Sequence, residues 1–201
     1  MRQGSQVRVL RPDAAPGSDG IALVGEVSVL AMSASGAGER QQQLVAAGYS
    51  AGAVRIFSLD TGALNVTFNG HRSPVGAARF DRTGCVLATG GRNGDVVLWD
   101  VTAERGMYRL RGHRDAVTDV AFVSRSAHAA TVENDVAGVA STARALISSS
   151  RDGLVKVWDL ETQHCVQTLL GHRCEVRQRC FLACRRTRVS LERHGAKAQL
   201  E

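Results

Sequence analysis

One spacing constrains this chain more than its composition does. Gly70-His71-Arg72 and Gly112-His113-Arg114 stand 42 residues apart, each followed shortly by a valine, in "NGHRSPVGAARF" (69–80) and "RGHRDAVTDVAF" (111–122). A third copy, "LGHRCEV", occupies 170–176. Two further stretches, "GGRNGDVVLWDV" (90–101) and "SSRDGLVKVWDL" (149–160), share an Arg-x-Gly turn that runs into Trp-Asp. A worn copy, "GYSAGAVRIFSL" (48–59), puts Phe57 in the tryptophan place, 42 residues before Trp99. Trp99 to Trp158 is 59 residues, so the last copy carries a 17-residue excess. A period of this length means that each unit is one small supersecondary element. Such a unit cannot bury its apolar face alone and must stack on its neighbours.

Within each unit the pattern is one of strands and tight turns. In the middle repeat the strands fall at about 75–80, 85–90, 95–99 and 106–110. In the next they fall at about 117–123, 144–149, 154–158 and 165–169. Thr83-Gly84, Asn93-Gly94 and Asp152-Gly153 are the turn pairs between them. "DVVLW" and "LVKVW" are apolar on both faces, as expected of strands covered on both sides. Apolar residues make up 44% of the chain and glycines number 21, which suits an all-β domain with many turns. The excess, about 124–143, is small and polar and reads as a surface insertion loop. The domain reading is a flexible N-terminus at 1–20, repeat units over 21–176, and a basic tail at 177–201 that lacks the repeat pattern. About 1–40 does not read as a complete unit.

The net charge of +6 is uneven. Residues 173–201 carry eight basic and three acidic groups, so the tail holds +5 and the rest of the chain +1. Such a tail attracts RNA, acidic proteins and anionic membranes alike. The five cysteines follow no regular spacing, no secretory signal is visible, and no run reaches the length of a membrane span. The expectation is a reducing compartment with free thiols, in which the sequon at Asn65 is idle. "TGGRNGD" lacks the Lys-Ser/Thr pair of a phosphate loop and reads as a strand turn. Cys174, Cys180 and Cys184, with His172 and His194, do not have zinc spacing. No metal and no cofactor is expected.

Ser148, His113 and Asp152 together invite a hydrolase reading, which the spacing opposes. Asp152 lies six residues before Trp158 and four after Ser148, and Asn93 stands in the same way to Trp99 and Thr89. An enzyme needs one triad and has no reason to repeat it. A structural network fits: an indole N–H donates to a hydroxyl, which bonds an imidazole, whose other nitrogen meets the turn residue. The expected tetrads are His113, Ser148, Asp152, Trp158 and His71, Thr89, Asn93, Trp99, the second with an amide in place of the acid. The first unit has Ala51 and Phe57 at these places and no tetrad. No catalytic residue is expected. Arg72, Arg92, Arg114 and Arg151 recur at equivalent places and form a candidate partner-contact rim.

The Gly-His and Trp-Asp pairs at this period resemble the WD-repeat superfamily. The resemblance implies an all-β WD-repeat β-propeller with about three four-stranded blades plus a fragment. That is fewer than the roughly four to eight blades that close a ring, so the propeller is expected to be incomplete. The connectors "NVTFNGH", "ERGMYRLRGH" and "DLETQHC" are similar to those of a WD-repeat family of the small-subunit processome. That likeness covers about 44–123 and 144–176. It implies a non-catalytic scaffold in pre-rRNA processing and 18S rRNA maturation, in the nucleus and nucleolus. The implied partners are other WD-repeat proteins of a processome subcomplex, with small nucleolar RNA or pre-rRNA nearby. A WD adaptor of another complex, such as a ubiquitin-ligase receptor, or a non-functional truncated product stay open as alternatives.

Overall fold

The computed structural model describes residues 25–33, 43–123 and 145–170. The N-terminus 1–20, the insertion 124–143, the tail 177–201, His172, His194 and the three C-terminal cysteines lie outside the described residues. Twelve strands form three antiparallel sheets, and no helix occurs among the described residues. The first sheet holds β1 (Val27–Met32), β2 (Leu44–Tyr49), β3 (Ala53–Ser58) and β4 (Leu64–Asn69). The second holds β5 (Val75–Phe80), β6 (Val86–Gly91), β7 (Val96–Asp100) and β8 (Arg105–Leu110). The third holds β9 (Val117–Val123), β10 (Ala145–Ser150), β11 (Val155–Asp159) and β12 (His164–Leu169). In each sheet the strands neighbour one another in chain order. Among the described residues these sheets are three four-stranded propeller blades.

The strand positions follow the sequence pattern to within a residue in the second and third sheets. The turns close where glycine adopts a left-handed backbone, with φ of 77° at Gly84, 85° at Gly94 and 77° at Gly153. The first sheet requires a correction. About 1–40 does not read as a unit, yet Val27–Met32 pairs antiparallel with β2 and completes four strands. Ser28 Oγ lies 3.0 Å from Gly48 O and 2.5 Å from Val75 O, tying β1 to β2 and across to β5. No Gly-His pair announces this strand, and strand pairing alone places it.

The core lies between the sheets. The first seam packs Ala46, Val54, Ile56 and Phe68 against Val75, Leu87, Val97 and Trp99. The second packs Ala88, Val96, Leu98 and Leu110 against Val117, Val120, Leu146 and Trp158. Val96, Val97, Leu98 and Trp99 are all buried, because β7 serves both seams with alternate side chains. The strands β1, β5 and β9 pack in succession, which places them at the narrow side of the fan. Arg79 on β5 reaches Asp119 on β9 at 3.5 Å, an ion pair across the second seam.

A candidate tetrad site at the blade seams

The third blade holds a fully bonded network. Trp158 Nε1–H donates to Ser148 Oγ (2.8 Å), which in turn bonds His113 Nε2 (2.7 Å). His113 Nδ1 lies 3.0 Å from Asp152 Oδ2. The same carboxylate accepts from Arg114 N and, at its other oxygen, from Leu154 N, both at 2.9 Å. One set of protons satisfies every member: a neutral imidazole with its hydrogen on Nδ1, and a serine hydroxyl that accepts from indole and donates to Nε2. Burial pushes the His113 pKa down against the opposing pull of Asp152. Burial pushes Asp152 up, but the bonds from Arg114 N, Leu154 N and His113 hold its carboxyl below the usual range.

The second blade is built the same way and stops one bond short. Trp99 Nε1–H donates to Thr89 Oγ1 at 2.8 Å, and His71 Nε2 lies 2.7 Å from the same oxygen. His71 Nδ1 is buried with no partner. Asn93 is turned elsewhere: Ser73 Oγ donates to its Oδ1 (3.0 Å) and accepts from its N–H (3.1 Å), and its amide donates to Asp95 Oδ2 (2.9 Å). Asp115 takes the place of Ser73 in the third blade and, as a carboxylate, has no proton to offer. Thr89 Oγ1 also reaches Val97 O at 3.2 Å. The cheapest proton arrangement therefore puts the His71 hydrogen on Nε2, donating to Thr89, which donates to Val97 O. Only the lone pair of Nδ1 is left over. Burial, helped by Arg109 and opposed by Asp95, lowers the His71 pKa to about 4.

In the first blade Ala47 and Phe57 stand where Thr89 and Trp99 do, and they pack with Tyr49 in a small buried cluster instead. Replacing the hydroxyl and the indole together removes donor and acceptor at once, so neither is orphaned.

The glycines of the two described Gly-His pairs are required by the indoles beside them. A methyl group at Gly70 would lie 2.5 Å from Trp99 Cη2, and one at Gly112 would lie 3.1 Å from Trp158 Cη2. Trp99 is also stacked on Phe68, with ring centroids 4.7 Å apart and planes at 19°. Gly70→Ala is therefore expected to cost about 2 kcal/mol through overpacking, and Gly112→Ala less. Thermal melts of the two variants check the order.

Sequence reasoning missed the clasp behind the second tetrad. Arg109 on β8 donates to Asp95 Oδ2 (2.9 Å) and to Gly70 O, joining the outer strand to the Gly-His connector. Only the pairing of Arg109 with Val97 brings it there, so no local signal existed.

Arg72, Arg92, Arg114 and Arg151 are exposed. Each sits on a Gly-His connector or on the turn bonded to it: Arg92 N donates to Pro74 O (3.0 Å) and Arg151 N to Ala116 O (2.9 Å). All four lie at the same end of their sheets, where Val75 pairs with Gly91 and Val117 with Ser150. Among the described residues no group of three or more His, Cys, Asp or Glu side chains is placed to hold a metal ion.

The repeated indole–hydroxyl–imidazole seam is matched by a family model. The WD40 model (WD domain, G-beta repeat) matches residues 62–100 and 105–159. Those residues, from β4 to β11, carry the WD40 repeat pattern. It is similar to the nuclear distribution protein PAC1 of Arthroderma otae, 32% identical over 136 residues, which are 66% of this chain and 28% of that protein. It is also similar to transducin beta-like protein 3 of Bos taurus, 32% identical over 120 residues, 60% of this chain and 13% of that protein. A third relative is the COMPASS component SWD3 of Saccharomyces cerevisiae, 33% identical over 116 residues, 58% of this chain and 31% of that protein. The chain spans less than a third of the length of each.

Proposed function

We propose that this WD40 chain is a non-catalytic interaction scaffold. The observation that supports it is the setting of Ser148. Its side chain is wholly buried, with its oxygen occupied by Trp158 and His113. A nucleophile must reach a substrate, and this hydroxyl instead ties the strands of its blade to the Gly-His connector. Thr89 does the same one blade earlier. Among the groups exposed at that end are the arginines at 72, 92, 114 and 151, a residue type suited to carboxylates or phosphates.

The finer reading is a scaffold of the small-subunit processome, acting in pre-rRNA processing and 18S maturation in the nucleolus. It rests on the connectors "NVTFNGH", "ERGMYRLRGH" and "DLETQHC", which resemble those of WD repeat-containing protein 3. Its partners would be other WD-repeat proteins, with small nucleolar RNA or pre-rRNA at hand. A generic adaptor of another complex is the second reading, favoured by relatives whose names place them in unlike settings, nuclear distribution and COMPASS. Depletion of the gene product with labelling of ribosomal RNA separates the two. Impaired 18S maturation, with processome proteins in the pull-down, is expected. Normal maturation and none of those proteins leave the adaptor. Exchanging Arg72, Arg92 and Arg114 for glutamate is expected to release bound partners without lowering the melting temperature.

A further inference from the structure

Asn93 is followed by Gly94, and it is exposed at the tip of the β6–β7 turn. Next to it His71 Nδ1 is buried and bonded to nothing. One blade later the matching position is an aspartate whose carboxylate holds His113 Nδ1 at 3.0 Å. We propose that Asn93 is a site of spontaneous modification, hydrolytic deamidation, and that the aspartate it yields completes the tetrad left open at His71.

The chemistry needs only water. The backbone nitrogen of Gly94 adds to Cγ of Asn93, the bond from Cγ to the side-chain nitrogen breaks, and ammonia leaves with the proton. Water then opens the five-membered imide at the Cγ carbonyl, restoring the peptide bond and leaving a carboxylate. Opening at the other carbonyl gives a β-linked isomer with one more backbone methylene. Glycine in the following position leaves the attacking nitrogen unshielded. Here that nitrogen makes one long bond, to Gly91 O at 3.2 Å.

Asn69-Gly70 is a second such pair in the same chain and serves as an internal reference. Asn69 is held in the β3–β4 ladder opposite Ala53, with its backbone extended by pairing. Asn93 lies outside any ladder.

A carboxylate at position 93 changes the proton balance of the seam. It cannot accept from Ser73 and also leave His71 bare without loss, because a buried imidazole beside it gains by turning its hydrogen to Nδ1. The tautomer then becomes that of His113: Nδ1–H donates to the carboxylate, and Nε2 accepts from Thr89. The modification thus converts a loosely closed blade into one matching its neighbour.

The test ages the full chain at physiological temperature and mildly alkaline pH and maps its peptides by mass spectrometry. A urea-unfolded sample gives the intrinsic rate of each Asn-Gly pair. Asn93 is expected to keep a larger fraction of its unfolded rate than Asn69, with α-linked aspartate among the products. Conversion at Asn69 while Asn93 stays an amide, or a product that is only β-linked, overturns the site. The Asn93→Asp chain is made separately. An upward shift in melting temperature and a move of the His71 proton from Nε2 to Nδ1, read by nitrogen NMR, are expected. A lower melting temperature or an unmoved tautomer overturns the completed tetrad.

Discussion

His113→Ala is expected to lower stability by about 3 kcal/mol, more than the same exchange at His71. Three losses combine. The Asp152 carboxylate loses a charge-assisted partner, the buried Ser148 loses its acceptor, and the missing ring leaves a void beside Trp158. A broken buried bond that orphans its partner costs about 1–3 kcal/mol, and the void adds to it. Trp158→Phe removes the indole donor and part of the ring but keeps an aromatic side chain in the seam, so about 1–2 kcal/mol is expected. His71→Ala is expected to cost less than His113→Ala, because its Nδ1 bonds nothing. Urea unfolding of the three variants checks the order. Equal stability of His113→Ala and the parent chain, with loss of a hydrolase activity, would restore the catalytic reading of Ser148.

Acid is expected to weaken the chain well above the pH at which carboxylates protonate. Both tetrad histidines are neutral in the fold, His71 with a pKa lowered to about 4 and His113 lowered by burial against the pull of Asp152. An unfolded histidine titrates near about 6.5. Between these values the unfolded chain binds protons that the folded chain refuses. Stability is therefore complete above pH ~6.5 and falls as pH drops toward about 4. For His71 alone the full loss is on the order of 3 kcal/mol. Asp152, held below the usual carboxylate range, extends the loss to lower pH. Asp119 works in the other direction, since burial raises its pKa against the nearby Arg79. Urea midpoints across this range measure the slope, and His71→Leu is expected to flatten it. A midpoint that does not move between pH 6.5 and 4 would contradict the neutral, buried state of His71.

Much of this molecule was legible because its information is periodic. The 42-residue spacing of Gly-His and of the indole position forced a repeated unit. Alternation and Gly turns set the strands, and the constant offsets from Ser148 to Asp152 to Trp158 named four side chains that could satisfy one another. Such readings need only local rules repeated in register. Tertiary structure decided what local rules cannot reach. The apolar, valine-bearing segment Val27–Met32 suits a strand, but only its pairing with β2 fixed its place and register. Arg109 found Gly70 O across 39 residues through the β7–β8 pairing. Asn93 shares the offsets of Asp152, yet its amide turned to Ser73, because an amide oxygen accepts from any nearby hydroxyl and Ser73 had a proton to give. Spacing determines which side chains come within reach, and the donors and acceptors that packing assembles around them determine which bonds form.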